Sequence, residues 1–301
     1  MPIQSLPPTA RRYSTAQRRE IAAAVAAARR QWRGMGEDFE SSFVTVLPSL
    51  MAVTNAAQHR VAEGAAAYVP DVLEETGQTR YLSPVSEVEA RAFVGIDGSG
   101  RPVESLLYGG VVRARSGVAE GRTTAQALAG AGAWLSTAVG TLLSDTGRAA
   151  ETVQMANHRV GGYVRMLTPP SCSRCAILAG RWYADSVAFQ RHPHCDCRHI
   201  PASESVGDEM TVDAGAYFDS LSETEQNRIF TNDGAEAIRN GADPAQVVNA
   251  RRGMSRAGQS YTTAGRRVTG RGARMTPEGI RRVATSRDEY IRLLRDHGYL
   301  R

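Results

Sequence analysis

There is no lysine in this chain: all 36 of its basic residues are arginine. Lysine codons are AT-rich, whereas arginine and alanine codons are mostly GC-rich, so the bias points to a GC-rich genome rather than to a function. It also removes an argument, because no single arginine can be said to have been preferred over lysine for its bidentate geometry. Cysteine is scarce too, four residues in 301, which concentrates the chemistry of the sequence wherever those four fall. Residues 1–14 hold prolines and arginines and lack the apolar core of a secretory signal, so nothing suggests an oxidising compartment. A convincing membrane run is missing as well. Thr123 to Ser144 carries no charge, but Gly130, Gly132, Gly140 and several Ser and Thr leave it only weakly apolar. It opens on a capping pattern, Thr123-x-x-Gln126, and reads as a buried bundle helix rather than a span, with no membrane partner expected. Internal repeats, heptads and low-complexity tracts are absent. So are Gly-x-Ser-x-Gly and His-Glu-x-x-His, which removes the two commonest hydrolase signatures.

What remains is an ordinary folded composition, 42% hydrophobic and 22% charged, in a chain long enough for one large or two medium cores. Residues 15–33 read as a basic helix with Ile21, Val25 and Trp32 on one side. From Asp38 to about Ala67 apolar residues recur at helical spacing, with Pro48 predicted to kink or split the run. A turn at Asp97-Gly98-Ser99-Gly100 precedes helices over Val103–Ser116 and Thr124–Asn157. Tyr163–Leu167 reads as a strand ended by Pro169-Pro170. Short helices follow, opened by Ser222-x-x-Glu225, Asp243-Pro244, Thr276-Pro277 and Ser286-x-x-Glu289. The predicted class is mainly α: N-terminal helices over 1–78, a module over 79–205 holding a small α+β zinc knuckle at 166–200, and short helices over 206–301. His59 reads as a surface or packing residue, His158 as a cation at a helix C-terminus, and Trp32 and Trp134 as core or partner anchors.

The net charge of +5 is unevenly spread. Nine arginines stand against the single acid Glu278 between Arg251 and Arg282, among interspersed glycine, serine and threonine. This predicts an arm over 251–282 that is either a solvated face or a contact for phosphate backbone or an acidic partner. Its candidate contacts are Arg251, Arg252, Arg256, Arg266, Arg267, Arg271 and Arg274.

The cysteines form Cys172-x-x-Cys175, then nineteen residues, then Cys195-x-Cys197, joined by His192, His194 and His199. A cysteine pair two apart can share one metal ion through its thiolates, and a second pair returned by a loop completes a tetrahedron. Soft sulfur donors favour zinc. The competing reading is two disulfides or uncoordinated thiols. Cys-x-Cys is tighter than the usual knuckle, so His192 or His194 could replace one sulfur. A closed set would be structural. An open one could activate water, with Asp185 or Asp196 as the local base.

The string Cys172-Ser-Arg-Cys175-Ala-Ile-Leu178-Ala-Gly180, followed by Phe189-x-x-His192-Pro-His-Cys195-Asp-Cys197, resembles the signature of Mu F-like phage head-morphogenesis proteins. The stretches Phe230–Gly253 and Arg287–Tyr299 look like versions from phages of actinobacteria, whose GC-rich hosts fit the missing lysine. The resemblance is specific from about Gly162 onward. It implies a low-copy minor capsid protein inside the head beside the portal, present in the host cytoplasm during assembly. Its implied partners are the portal, the major capsid or scaffold protein, and packaged DNA, and its implied role is head assembly and genome packaging or release. The motif maps onto Cys172, Cys175, His192, Cys195 and Cys197 and supplies no catalytic residue. The alternative is a capsid maturation protease, since similar proteins often carry that label. That activity would need Ser171, Ser173 or a cysteine paired with His192 or His194. An ADP-ribosyltransferase would need more chain. A plain DNA-binding zinc protein would need a recognition helix beside the knuckle.

Overall fold

In a computed structural model, the structure describes residues 6–167, 171–185, 198–207, 210, 213–251, 260–263 and 273–300. Four long helices come first: α1 (Pro8–Trp32), α2 (Phe39–Glu75), α3 (Val103–Ala119) and α4 (Thr124–Asn157). Proline at the first position opens α1, where its missing N–H costs nothing. Asp38 caps α2 by accepting the Ser41 N–H at 3.1 Å, and the Ser41 hydrogen bonds hold its carboxyl below the usual carboxylate range. The capping box of α4 is complete, with Thr123 and Gln126 each bonding the other's backbone N–H. Between α2 and α3, the Asp97 carboxylate accepts the Ser99 and Arg101 N–H groups, which closes the expected turn.

The expectation that Pro48 splits the second helix is corrected: α2 runs unbroken through both Pro48 and Pro70. Pro48 lies on the solvent side, and so does Val44 (70% exposed), whose carbonyl loses its partner there and can turn to water. α1 and α2 share one core with α3 and α4, formed by Ala28, Trp32, Phe43, Leu50, Leu107, Val111, Leu135 and Val139. Neither helix pair buries its apolar side without the other. α4 is long and apolar enough to cross a membrane by length and composition alone. Here its buried side meets α1, α2 and α3.

Trp32 holds this bundle together. Its indole N–H donates to the Leu128 carbonyl at 3.1 Å, which fixes the ring at the start of α4. The ring fills a slot floored by Gly110 of α3 and Gly132 of α4, where a Cβ would lie 2.7 and 2.8 Å from indole atoms. Gly132, one of the glycines that weaken α4 as a candidate span, is therefore a packing position.

Beyond α4 the chain forms a three-stranded antiparallel sheet in the order β2-β1-β3, from β1 (Gly162–Met166), β2 (Trp182–Ala184) and β3 (Arg198–Pro201). β1 is buried throughout. Val164, Met166 and Ile200 join Tyr68, Val72 and Leu73 of α2 in one core. Leu167 and the segment holding Cys175, Ile177 and Ala179 join Phe218, Phe230, Val247, Ile280 and Leu294 in another. The sheet thus links the bundle to the C-terminal helices. These follow the short α5 (Ser173–Ala176) and α6 (Glu204–Gly207). They are α7 (Ala214–Asp219), α8 (Glu223–Phe230), α9 (Asn232–Arg239), α10 (Pro244–Ala250), α11 (Pro277–Val283) and α12 (Arg287–Asp296). Asp243, Thr276 and Ser286 cap α10, α11 and α12, and Ser222 with Glu225 forms a full box on α8. The architecture is mainly α.

Gly132→Ala should lower stability by about 1–3 kcal/mol through overpacking against Trp32, although alanine favours a helix over glycine by about 1 kcal/mol. Gly140→Ala in the same helix meets only ordinary contact, Val25 at 3.6 Å, and should hold or raise stability. Urea unfolding of both variants checks the contrast, and equal midpoints would contradict the Trp32 slot.

Candidate functional site

The first cysteine pair sits where β1 leads into the C-terminal core. Cys172 caps the single turn of α5, its sulfur accepting the Cys175 N–H at 3.4 Å. The turn therefore folds back onto the first sulfur. Ser171, just before it, is clamped by Tyr217 of α7, whose hydroxyl accepts the Ser171 N–H at 2.9 Å and donates to the Ser171 carbonyl at 2.8 Å. Burial pushes the Tyr217 phenol above its ordinary pKa, so it stays a neutral donor. Cys172 is half-buried, Cys175 is 1% exposed, and the two are not bonded to each other.

Arg165 of β1 reaches the second sulfur, its Nη2 standing 3.4 Å from Cys175 Sγ. A guanidinium that is 1% exposed cannot shed its charge, so it must be compensated by negative groups or oriented dipoles nearby. Directly across the ladder from Arg165 lies His199 of β3. The His199 ring stacks on Tyr163 with centroids 4.1 Å apart, and its Nδ1 is 3.8 Å from Glu151 Oε2 of α4. Both side chains are buried, at 6% and 1% exposure. Tyr68 of α2 donates its hydroxyl to the His199 carbonyl at 2.6 Å, which ties β3 to the bundle. One face of the sheet thus carries arginine, imidazole and thiol, with a carboxylate facing them from α4. Such a set can hold charge, stabilise a thiolate beside Arg165, and orient an imidazole through its carboxylate neighbour.

Of the residues singled out by sequence, the structure places Cys172, Cys175, Ser171, Ser173, Asp185 and His199. His192, His194, Cys195, Asp196 and Cys197 lie outside the described residues. Among the described residues no group of three or more His, Cys, Asp and Glu side chains gathers as a metal set. The serines needed by a protease are buried, Ser171 at 3% and Ser173 at 7% exposure, where a polypeptide substrate cannot reach them as they stand.

The arginine arm is also only partly described. Arg251 is exposed at the end of α10, whereas Arg252, Arg256, Arg266, Arg267 and Arg271 lie outside the described residues. Arg274 departs from the expectation of a surface contact. It is 6% exposed, its guanidinium lies over the Tyr299 ring at 4.4 Å, and it donates to the carbonyls of His297 and Gln246. It fastens the C-terminus to α10. Within the arm, β4 (Tyr261–Thr262) pairs antiparallel with β5 (Arg274–Met275).

Sequence reasoning singled out neither Glu151, Arg165 nor Tyr217. A faint signal existed for Arg165, the one charge inside the apolar run Tyr163–Leu167. Glu151 looks like any helix surface acid until the sheet is seen to cover it.

Tyr217→Phe should remove both hydrogen bonds between the phenol and the Ser171 backbone, costing about 1–3 kcal/mol. The same change should speed labelling of Cys172 by a thiol reagent; an unchanged rate would show that the clamp does not hold the turn. Near the C-terminus, burial and the Arg274 charge lower the pKa of His297 from its ordinary 6.5, and its Nδ1 accepts the Met275 N–H at 3.4 Å. Between the lowered folded value and 6.5 the unfolded chain binds the proton more readily. This contribution to stability is therefore full above pH 6.5 and is lost as pH falls through the folded value. Thermal unfolding between pH 5 and 8 should show that slope, and His297→Gln should flatten it.

No family profile, curated protein or solved structure matches this chain, so the chemistry of the site is read from its own residues.

Proposed function

We propose that this chain is a minor head protein of a tailed bacteriophage, seated inside the head near the portal vertex, whose Cys/His segment holds a structural zinc ion. The observation that carries the reading is the Cys172-x-x-Cys175 turn. Its first sulfur receives the Cys175 N–H, its second lies beside the Arg165 guanidinium, and the sequence around it resembles the Mu F-like pattern.

The described half of the donor set fits a thiolate metal site. Two cysteines on one tight turn, not bonded to each other, supply soft ligands. A buried cation beside one of them offsets part of the negative charge that four thiolates leave on one zinc ion. Cys172, Cys175, Cys195 and Cys197 would hold the ion, with His192 or His194 as the alternative to one sulfur. Chain connectivity keeps Cys197 two residues from His199, which faces Arg165 across the ladder. Bound there, zinc would supply a crosslink and no reaction. The chain's own residues do the rest: Tyr217 fixes the entry to the turn, Arg165 balances charge, and Tyr68 holds β3 on the bundle. The protein would act by binding the portal and the major capsid or scaffold protein during head assembly, and would serve genome packaging or release.

Co-expression with the portal and major capsid proteins of the phage that encodes it tests the proposal. The chain should sediment with proheads that contain portal and stay behind when portal is left out. Remaining at the top of the gradient in both cases would sink the reading. Specific cleavage of the capsid precursor, lost in Ser171→Ala or His194→Ala, would replace it with the protease.

A further inference from the structure

The first helix carries a charged face that neither the fold nor the cysteine site uses. α1 buries Ala10, Ser14, Gln17, Ala24, Ala28 and Trp32 on one side. On the other side, three pairs of exposed arginines follow one another: Arg11 with Arg12, Arg18 with Arg19, and Arg29 with Arg30. At about 100° per residue these fall in two parallel rows within an arc of roughly 120° on the side away from the buried face. Arg33 continues the arc just past the helix end. From Arg11 to Arg33 the stripe runs about 33 Å, at 1.5 Å per residue.

Three features narrow the partner. First, the stripe has one sign. The only acid of α1, Glu20, lies off the arc and is taken by Arg60 of α2 at 2.6 Å. None of the seven arginines is held in an ion pair among the described residues. Second, the positions between the arginine pairs are small: Ala22, Ala23 and Ala26 are exposed and let a partner approach closely. Third, the stripe has no aromatic or large aliphatic side chain. A protein interface draws its energy from such anchors at its centre, and an interfacial membrane helix needs an apolar face, which α1 has already spent on α2 and α4. A rigid row of cations about 33 Å long with no anchor matches a linear polyanion. Duplex DNA presents one charge per about 1.7 Å of axis, and one of its turns is about 34 Å long.

We propose that the outer face of α1 is a docking surface for the phosphate backbone of double-stranded DNA, bound without sequence preference. Because its other side is packed in the bundle, α1 lies along the backbone and does not enter a groove to read bases. The surface is formed by residues other than those of the Arg251–Arg274 stretch, and it stands whether or not the cysteines hold zinc.

The test is fluorescence anisotropy of a labelled 30-base-pair duplex with the full-length protein, titrated from about 50 to 300 mM NaCl, a range in which phosphate contacts dominate affinity. The proteins compared are wild type, a helix variant (Arg18→Gln, Arg19→Gln, Arg29→Gln, Arg30→Gln) and an arm variant (Arg252→Gln, Arg256→Gln, Arg266→Gln, Arg267→Gln). Glutamine keeps helix propensity close to that of arginine, and circular dichroism confirms that the helix variant folds. The helix variant should lose at least about tenfold in affinity at low salt. The slope of log K against log salt should shrink by about 3–4, at about 0.9 per phosphate contact. Duplexes of different sequence should bind alike. The proposal is overturned if wild type does not bind duplex, or if the helix variant matches wild type. It is also overturned if only the arm variant loses binding, which would move the contact to that stretch. Binding of polyglutamate in place of duplex would overturn it too and assign the face to an acidic protein.

Discussion

A permanently charged guanidinium is buried in the central strand of the sheet, and the middle of this molecule has to be arranged around it. Arg165 cannot be neutralised by giving up a proton, and water does not reach it. Compensation has to come from fixed groups, and those described around it are the Cys175 sulfur and the His199–Glu151 pair across the ladder. Replacing Arg165 by a neutral residue would relieve the cost of burial. In the proposed reading, a thiolate-rich metal site would add to the negative charge around it. The same strand faces the helical bundle on one side and leads into the C-terminal core on the other, so the charge sits at the junction of both.

That placement explains why the bundle and the sheet are joined by polar contacts as well as by apolar packing. Tyr68 gives its hydroxyl to the His199 carbonyl. Gln78, just past α2, donates to the Pro201 carbonyl and accepts the Ser203 N–H. These bonds satisfy the outer edge of β3, which would otherwise expose an unpaired ladder. On the far side, Tyr217 does the same for Ser171. Tyr217 thus holds the entry to the cysteine turn, while Tyr68 and Gln78 hold β3 on the bundle.

Much of the helical fold was legible in the sequence because helix ends are decided locally. Thr123-x-x-Gln126, Ser222-x-x-Glu225, Asp243-Pro244 and Thr276-Pro277 each place a capping oxygen within reach of its own backbone, and each cap forms. What failed depended on distant partners. Pro48 reads as a break, yet packing of the α2 face carries the helix through it. Trp32 and the glycines that face it on α3 and α4, Gly110 and Gly132, are complementary only in three dimensions. Arg274 looked like one more arginine of a loose basic segment until Tyr299 and two carbonyls were found around it. In the site, Cys172 and Cys175 announce themselves by spacing, whereas Arg165 and Glu151 acquire meaning only when β1, β3 and α4 meet.

The central claim is that the cysteines form a reduced thiolate site that holds metal beside Arg165. Metal content of the purified chain by mass spectrometry, with thiol titration before and after chelation, tests it most directly. One zinc per chain, with the four thiols titrating only once a chelator is added, is the predicted result. Absence of metal, with the thiols reactive from the outset or locked in two disulfides, would contradict the account.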